Sequence, residues 1–279
     1  MVDSSGAGAS EDVDVSVVIP TFRRPTQVVE AVESALAQDG VRVEVLVLDD
    51  SPEGSARAPV TAIADPRVTY RHRDAPTGGN PSRVRNGGWP LARGRFVHFL
   101  DDDDHVAPGA YRDVVRAFDE NPRAGVVYGR VEPFGDDPAA VLRERRVFAA
   151  AARRARIYQR VGTRMLVVAN QLFSGTVMVN SACVIRREHV AALGGYDEEL
   201  RLCEDLEFYV RAMRAYGCVF VDRPVVQYRT GAPSLMNAGM ADGKVASVYA
   251  RIYSKYRAEH GRAELLALKV VAKTVLRWL

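Results

Sequence analysis

Cysteine is scarce in this chain. Only Cys183, Cys203 and Cys218 occur among 279 residues. Their spacing matches no metal-ligand pattern, and an odd number cannot close a full disulfide framework. They read as small buried or half-buried thiols of a reducing compartment. A secretory leader is also missing: residues 1–10 are rich in glycine, alanine and serine and lack both a basic and an apolar region. No apolar run reaches the roughly 20 residues that cross a bilayer. Nor is there a dominant charge, since 38 basic against 35 acidic side chains leave a net +3, too mild to argue for nucleic acid. These absences predict a soluble, cytoplasmic protein with no nucleic-acid partner. What is present is ample: 47% of the residues are hydrophobic, enough to bury a substantial core as one large domain or two fused ones.

Acidic side chains are concentrated in one place, Phe99-Leu100-Asp101-Asp102-Asp103-Asp104-His105. Residues 94–100 before it are apolar, β-branched and aromatic, the mark of a buried strand. After it, Pro108 is placed to open a helix continued by Tyr111, Val114, Val115 and Phe118 on one face. Four carboxylates therefore crowd the carboxyl end of a strand, where open α/β sheets hold their ligands. Adjacent carboxylates raise one another's pKa unless they share a cation. An oxygen-preferring ion, Mn2+ or Mg2+, would relieve the repulsion and grip a phosphate. A solvated acidic turn capping the next helix is the competing reading.

The rest of the chain weighs toward a site. Strands are predicted at residues 15–19, 43–48, 68–71 (short and near an edge), 94–100 and 125–128. Helices fall between them, one near 26–36 with Thr26 or a neighbour as cap and one near 82–92. This alternation is the pattern of parallel βαβ units and implies a Rossmann-like, mostly parallel sheet flanked by helices. Its topology gathers the loops at 20–25, 49–54 and 101–105 on one rim. Residues 131–172 are basic and Ala-rich, as in Arg143-Glu144-Arg145-Arg146, and helical in propensity; a mobile lid and a solvated helix are both open. A strand over 176–185 follows, then a helix from Glu204-Asp205, short strands near 218–221 and 225–228, and helices to the end.

Six motifs in order resemble family 2 glycosyltransferases of the GT-A fold: Ile19-Pro20-Thr21-Phe22, Leu48-Asp49-Asp50-Ser51, Arg85-Asn86-Gly87-Gly88, Ala92-Arg93-Gly94, the acidic run, and Gly194-Gly195-Tyr196-Asp197-Glu198 with Glu204-Asp205. The resemblance covers about residues 15–230. It implies a metal-dependent, inverting transfer of one sugar from a nucleoside-diphosphate sugar, a UDP- or dTDP-sugar, to a hydroxyl of a small-molecule or lipid-linked acceptor. It further implies a nucleotide-binding half over 13–130 and an acceptor-binding half over 131–235. A disordered tail over 1–12 and a helical extension over 236–279 flank them.

By the same resemblance, Asp50 accepts a hydrogen bond from the base, as an ionised carboxylate can, with Asp49 beside it. Pro20, Thr21, Phe22 and Arg24 line the nucleoside, and Arg85 binds phosphate or orients an aspartate. Asp101 and Asp103 hold the metal, while Asp102 meets the ribose. Asp205 is the general base on the acceptor side, and Glu204, which points about 100° away on a helix, belongs to acceptor binding. The bland readings are a turn at Asp49-Asp50, a surface salt bridge at Arg85 and dipole complementarity at Glu204-Asp205.

Two departures stand out. Many relatives carry a histidine after the last strand, whereas here the stretch reads Gln227-Tyr228-Arg229-Thr230-Gly231. The Gln-x-x-Arg-Trp of processive synthases is absent, which argues for single addition to a discrete acceptor. Two rivals are a sugar nucleotidyltransferase, which would need a glycine-rich loop where Pro20-Thr21-Phe22-Arg23-Arg24-Pro25 stands, and a non-catalytic sugar-nucleotide-binding module. Finally, residues 264–279 are amphipathic, with Lys269, Lys273 and Arg277 at i, i+4 spacing. They could lie on an anionic membrane, making the protein membrane-peripheral; packing on the catalytic domain, or a homodimer contact, is the simpler reading.

Overall fold

The structure, a computed structural model, describes residues 12–175, 178–231 and 243–274. Nearly all of the expected disordered tail, and Arg277 of the amphipathic stretch, lie outside the described residues.

Three apolar runs become strands buried on both faces: β1 (Val15–Thr21), β2 (Val43–Asp49) and β4 (Phe96–Phe99). Near-continuous apolar sequence is what a strand covered by helices on both sides requires. With β3 (Val68–His72) they pair in parallel in the order β3-β2-β1-β4, and β3 is an edge strand, as its length suggested. Helix α1 (Gln27–Leu36) covers one face through Val28, Ala31, Val32 and Ala35, although Thr26 makes no side-chain cap. The short helix α2 (Arg57–Thr61) follows β2. Helix α3 (Pro81–Gly88), capped by Asn80, lies on the other face. It approaches closely because Gly88 has no side chain; a Cβ there would meet Val18 Cγ1 at 2.6 Å.

Beyond β4 the sheet is mixed. A strand over 125–128 was expected to continue the parallel order. Instead β7 (Cys183–Arg186) lies antiparallel between β4 and β6 (Val126–Phe134). Among the described residues β7 is shorter than the expected 176–185 strand, because Asn180–Ala182 form a 3-10 turn. The two short strands expected near 218 and 225 are one strand, β8 (Cys218–Arg229), parallel to β6 with a register shift around Arg130. A two-residue strand β5 (His105–Val106) pairs with its end. Helix α4 (Ala110–Glu120) starts after Gly109, not at Pro108, with Gly109 at φ +72°.

The basic segment forms α5 (Pro138–Val161) and α6 (Arg164–Phe173). Phe148, Ala151, Ala152, Ala155 and Tyr158 anchor α5 in the core, so it is a packed helix. After α7 (Arg187–Leu193) come α8 (Glu204–Tyr216), α9 (Lys244–His260) and α10 (Arg262–Thr274). Leu268 and Ala272 of α10 are buried in the same apolar cluster as α6 and α8. Cys183 and Cys203 are buried, Cys218 is half-buried, and all three are free. Among the described residues, no helix is long and apolar enough to cross a membrane.

Candidate active site

The carboxyl ends of β1, β2 and β4 bring the three expected loops together. Pro20, half-buried near the end of β1, lies opposite Leu48, and the buried Thr21 hydroxyl donates to Asp102 Oδ2 at 2.7 Å. One Arg24 nitrogen, Nη1, reaches Asp102 Oδ1 at 2.9 Å and Asp103 Oδ2 at 2.6 Å. Burial pushes the Asp102 carboxyl up to about 6 against the pull of Arg24. The Phe22 ring lies against the turn at Gly79, where a Cβ would sit 3.3 Å from it.

Asp49 and Asp50 are both fully buried but do different work. Asp49 Oδ1 accepts from the Ser51 amide and hydroxyl, and Oδ2 from the Ala56 amide and Tyr70 hydroxyl. It organises its own turn. Asp50 points the other way and accepts from Thr77 N and Oγ1, both 2.8 Å, and from Gly79 N at 2.7 Å, with Arg73 Nε at 3.1 Å. It thereby pins the 73–79 loop over the rim.

Arg85, at the end of α3, is buried and forks between two acids. Nη1 donates to Glu204 at 2.8 Å and Nη2 to Asp101 at 2.7 Å, while its guanidinium lies 5.2 Å from the Tyr196 ring centre. Asp101 also accepts from Asn180 Nδ2 at 2.9 Å, and its amide donates to Ser181 Oγ. Asn180 in turn accepts from the Tyr196 hydroxyl. Gly195 makes this turn possible: its φ is +74° and a Cβ would stand 2.4 Å from Asn86 Oδ1.

Asp205 lies one residue into α8, whose amide end favours anions. Its Oδ1 accepts from the Leu206 amide at 2.8 Å. Burial raises it above the usual carboxylate range, against the attraction of Arg85. Its neighbour Glu204 is pushed by burial to about 7, yet Glu204 is the one bonded to Arg85. Among the described residues, Asp205 is thus the carboxylate of the pair that has no hydrogen bond or ion pair to an arginine.

The donor set suits a hard cation. Asp103 is raised by burial, with Asp101 adding repulsion. Asp104 is raised well above normal by burial and by both neighbours, and its Oδ2 is buried with no hydrogen-bond partner. Among the described residues, no three His, Cys, Asp or Glu side chains stand close enough to hold an ion alone. Mg2+ sites commonly use one or two carboxylates plus substrate phosphates, and Asp101 and Asp103 beside a diphosphate fit that description.

Several contributors were not legible beforehand. Arg229 gives its amide to Asp104 Oδ1 and its Nε to the Asp103 carbonyl, each at 2.9 Å, and also bonds Glu30. His105 bonds Glu30 at 3.2 Å and stacks near Phe134, so it braces the turn. Thr77, Arg73, Asn180 and Ser181 had no motif; the polar pair Asn180-Ser181 inside an apolar stretch was the available signal.

Sheet order and rim together define a glycosyltransferase scaffold of the GT-A type. The glycosyl transferase family 2 model matches residues 16–194, and the chain belongs to that family. It is 42% identical over 106 residues to the succinoglycan biosynthesis protein ExoO of Rhizobium meliloti, covering 38% of this chain and 30% of ExoO. It is 31% identical over 112 residues to a Campylobacter jejuni GalNAc(5)-diNAcBac-PP-undecaprenol beta-1,3-glucosyltransferase, covering 38% of this chain and 35% of that protein. The matches thus span about a third of these relatives. The fold resembles the mannosyltransferase PcManGT of Pyrobaculum calidifontis, solved with GDP-Man and Mn2+, at TM-score 0.61 and 16% identity, over 96% of this chain and 72% of that one.

Proposed function

We propose that this protein transfers one sugar, with inversion, from a UDP- or dTDP-sugar to a hydroxyl of a discrete acceptor, with Asp205 as general base. The observation that carries the reading is Arg85, which joins Asp101 on the donor loop to Glu204 on the base helix through bonds of 2.7 and 2.8 Å. A single buried side chain thus fixes the distance between the diphosphate side and the acceptor side.

In this reading Asp50 and the 77–79 loop it holds receive the base, Thr21 and Asp102 meet the ribose, and Asp49 keeps the turn beneath them in shape. Asp101 and Asp103 hold Mn2+ or Mg2+, which supplies charge neutralisation for the departing diphosphate. Asp205 takes the acceptor hydroxyl proton as the oxygen bonds to the anomeric carbon from the face opposite the diphosphate. The diphosphate leaves with the electron pair of the broken C–O bond. A carboxylate raised by burial suits this task, since a base works best with a pKa nearer the operating pH. Glu204 holds Arg85 in place and borders the acceptor.

The lipid diphosphate in the name of the C. jejuni relative supports a lipid-linked acceptor, and the Mn2+ bound to PcManGT supports the cation. A thermal-shift panel of nucleoside diphosphates and their sugars with Mn2+ tests the reading. Stabilisation by UDP or dTDP and their sugars is expected. A shift by GDP alone moves the donor to guanine, and no shift by any nucleotide contradicts the proposal.

A further inference from the structure

Helix α5 carries seven arginines and one acid, Glu144. Its formal charge of +6 exceeds the +3 of the whole chain, so the remainder is net −3. Burial decides which side chains face outward. The core side is filled by Ala140, Phe148, Ala151, Ala152, Ala155 and Tyr158. Opposite them, Leu142, Arg146, Ala149, Arg153 and Arg160 follow one exposed line, flanked by exposed Arg145, Val147 and Val161. Arg156 is bonded to Asp222 at 2.7 Å, and Arg143 lies 3.5 Å from Glu144. Arg145, Arg146 and Arg160 have no carboxylate partner among the described residues.

Apolar side chains are exposed along the same helix, Leu142 within the arginine line and Val147 and Val161 on one flank of it. Leu142 is 49%, Val147 43% and Val161 60% exposed, half of the six large hydrophobic side chains exposed among the described residues. A solvated helix gains nothing from them. Nucleic acid would meet the arginines but offers the aliphatic groups no apolar phase. An anionic bilayer meets both, with headgroup phosphates at the arginines and the acyl boundary at Leu142 and Val147. The helix is also well placed: Phe148 packs edge-on against Tyr228 at 5.6 Å, and the next residue, Arg229, bonds the acidic loop.

We propose that the outer face of α5 docks on an anionic bilayer surface and holds the rim beside the membrane, where an acceptor carried on a lipid diphosphate presents its hydroxyl. The acceptor clause rests on the sugar-transfer reading, whereas the docking surface does not.

The test is co-sedimentation of the full chain with vesicles of phosphatidylglycerol and phosphatidylcholine, against phosphatidylcholine alone. Binding to the anionic vesicles, weakened by salt, is expected. R145Q/R146Q/R160Q should weaken it by at least about tenfold, given the contribution of each basic side chain near a charged surface, and L142S/V147S should weaken it without changing net charge. All five positions are exposed, so unchanged thermal melting is expected. No binding to anionic vesicles, or binding abolished by K269Q/K273Q on α10 but not by the α5 variants, overturns the proposal. Displacement by RNA with L142S/V147S indistinguishable from wild type also overturns it, in favour of a nucleic-acid surface. Calorimetry of UDP with Mn2+ on the same proteins separates the two readings: its absence in wild type sinks sugar transfer and leaves the vesicle result standing.

Discussion

Glu204 and Asp205 are adjacent acids at one helix start, and what separates them is their partner. Glu204 is held by Arg85, whereas the Asp205 carboxylate accepts from the Leu206 amide of its own helix. Asp205→Asn should therefore leave nucleotide affinity unchanged and lower kcat by about 10²–10⁴, the usual worth of a positioned base. Glu204→Gln should instead leave Arg85 half-paired and lower stability along with activity; a dead Glu204→Gln beside a fully active Asp205→Asn would reverse the assignment. In the proposed role Asp205 acts deprotonated, and burial raises its pKa. Activity should thus fall as pH drops through a value above the ordinary aspartate figure of about 3.9, and an acid limb at or below that figure contradicts the role. Asp50→Ala should weaken UDP or dTDP by about 1–3 kcal/mol, since it removes a buried acceptor and frees the loop at Thr77 and Gly79; calorimetry with unchanged affinity would move the base contact elsewhere.

At the scale of elements, β4 joins stability to the site. His98 on this strand is buried, with Nδ1 2.8 Å from the Tyr111 hydroxyl and Nε2 2.9 Å from the Ser181 carbonyl. Those partners assign the proton to Nε2, which donates to the carbonyl. Burial lowers His98 to about 4, below its unfolded value of about 6.5. Its contribution is therefore complete above pH 6.5 and lost as pH falls toward 4, by about 3 kcal/mol. Asp102, raised to about 6, works with the opposite sign over an overlapping range. The informative quantity is consequently the difference between wild type and His98→Gln in urea unfolding across that window. A variant as acid-sensitive as wild type would contradict the account.

The same elements show what sequence reveals. Val15–Thr21 and Val43–Asp49 were legible because both faces are covered, so most positions are apolar, with Ser16, Thr21, Glu44 and Asp49 the polar exceptions. The placement of β7 between β4 and β6 was not, since a four-residue strand carries no sign of its partners. The acidic loop and the Glu204-Asp205 start were visible as charge in an unusual place. Arg229 was not, because its role depends on where β8 ends relative to the acidic loop and not on any local pattern.

Across the whole molecule, a parallel half contributes Thr21, Asp50 and Asp101, and the segment after it contributes Asn180, Glu204, Asp205 and Arg229. The two meet through Arg85, Asn180 and Arg229, each of which bonds across long sequence separations. On the proposed function, this junction binds a nucleoside diphosphate together with a divalent cation. Calorimetric titration of UDP-sugars and dTDP-sugars, with Mn2+ and after chelation, tests it most directly. Binding is expected with Mn2+, with loss on chelation and in Asp103→Asn and retention in Asp205→Asn; binding indifferent to both chelation and Asp103→Asn would contradict it.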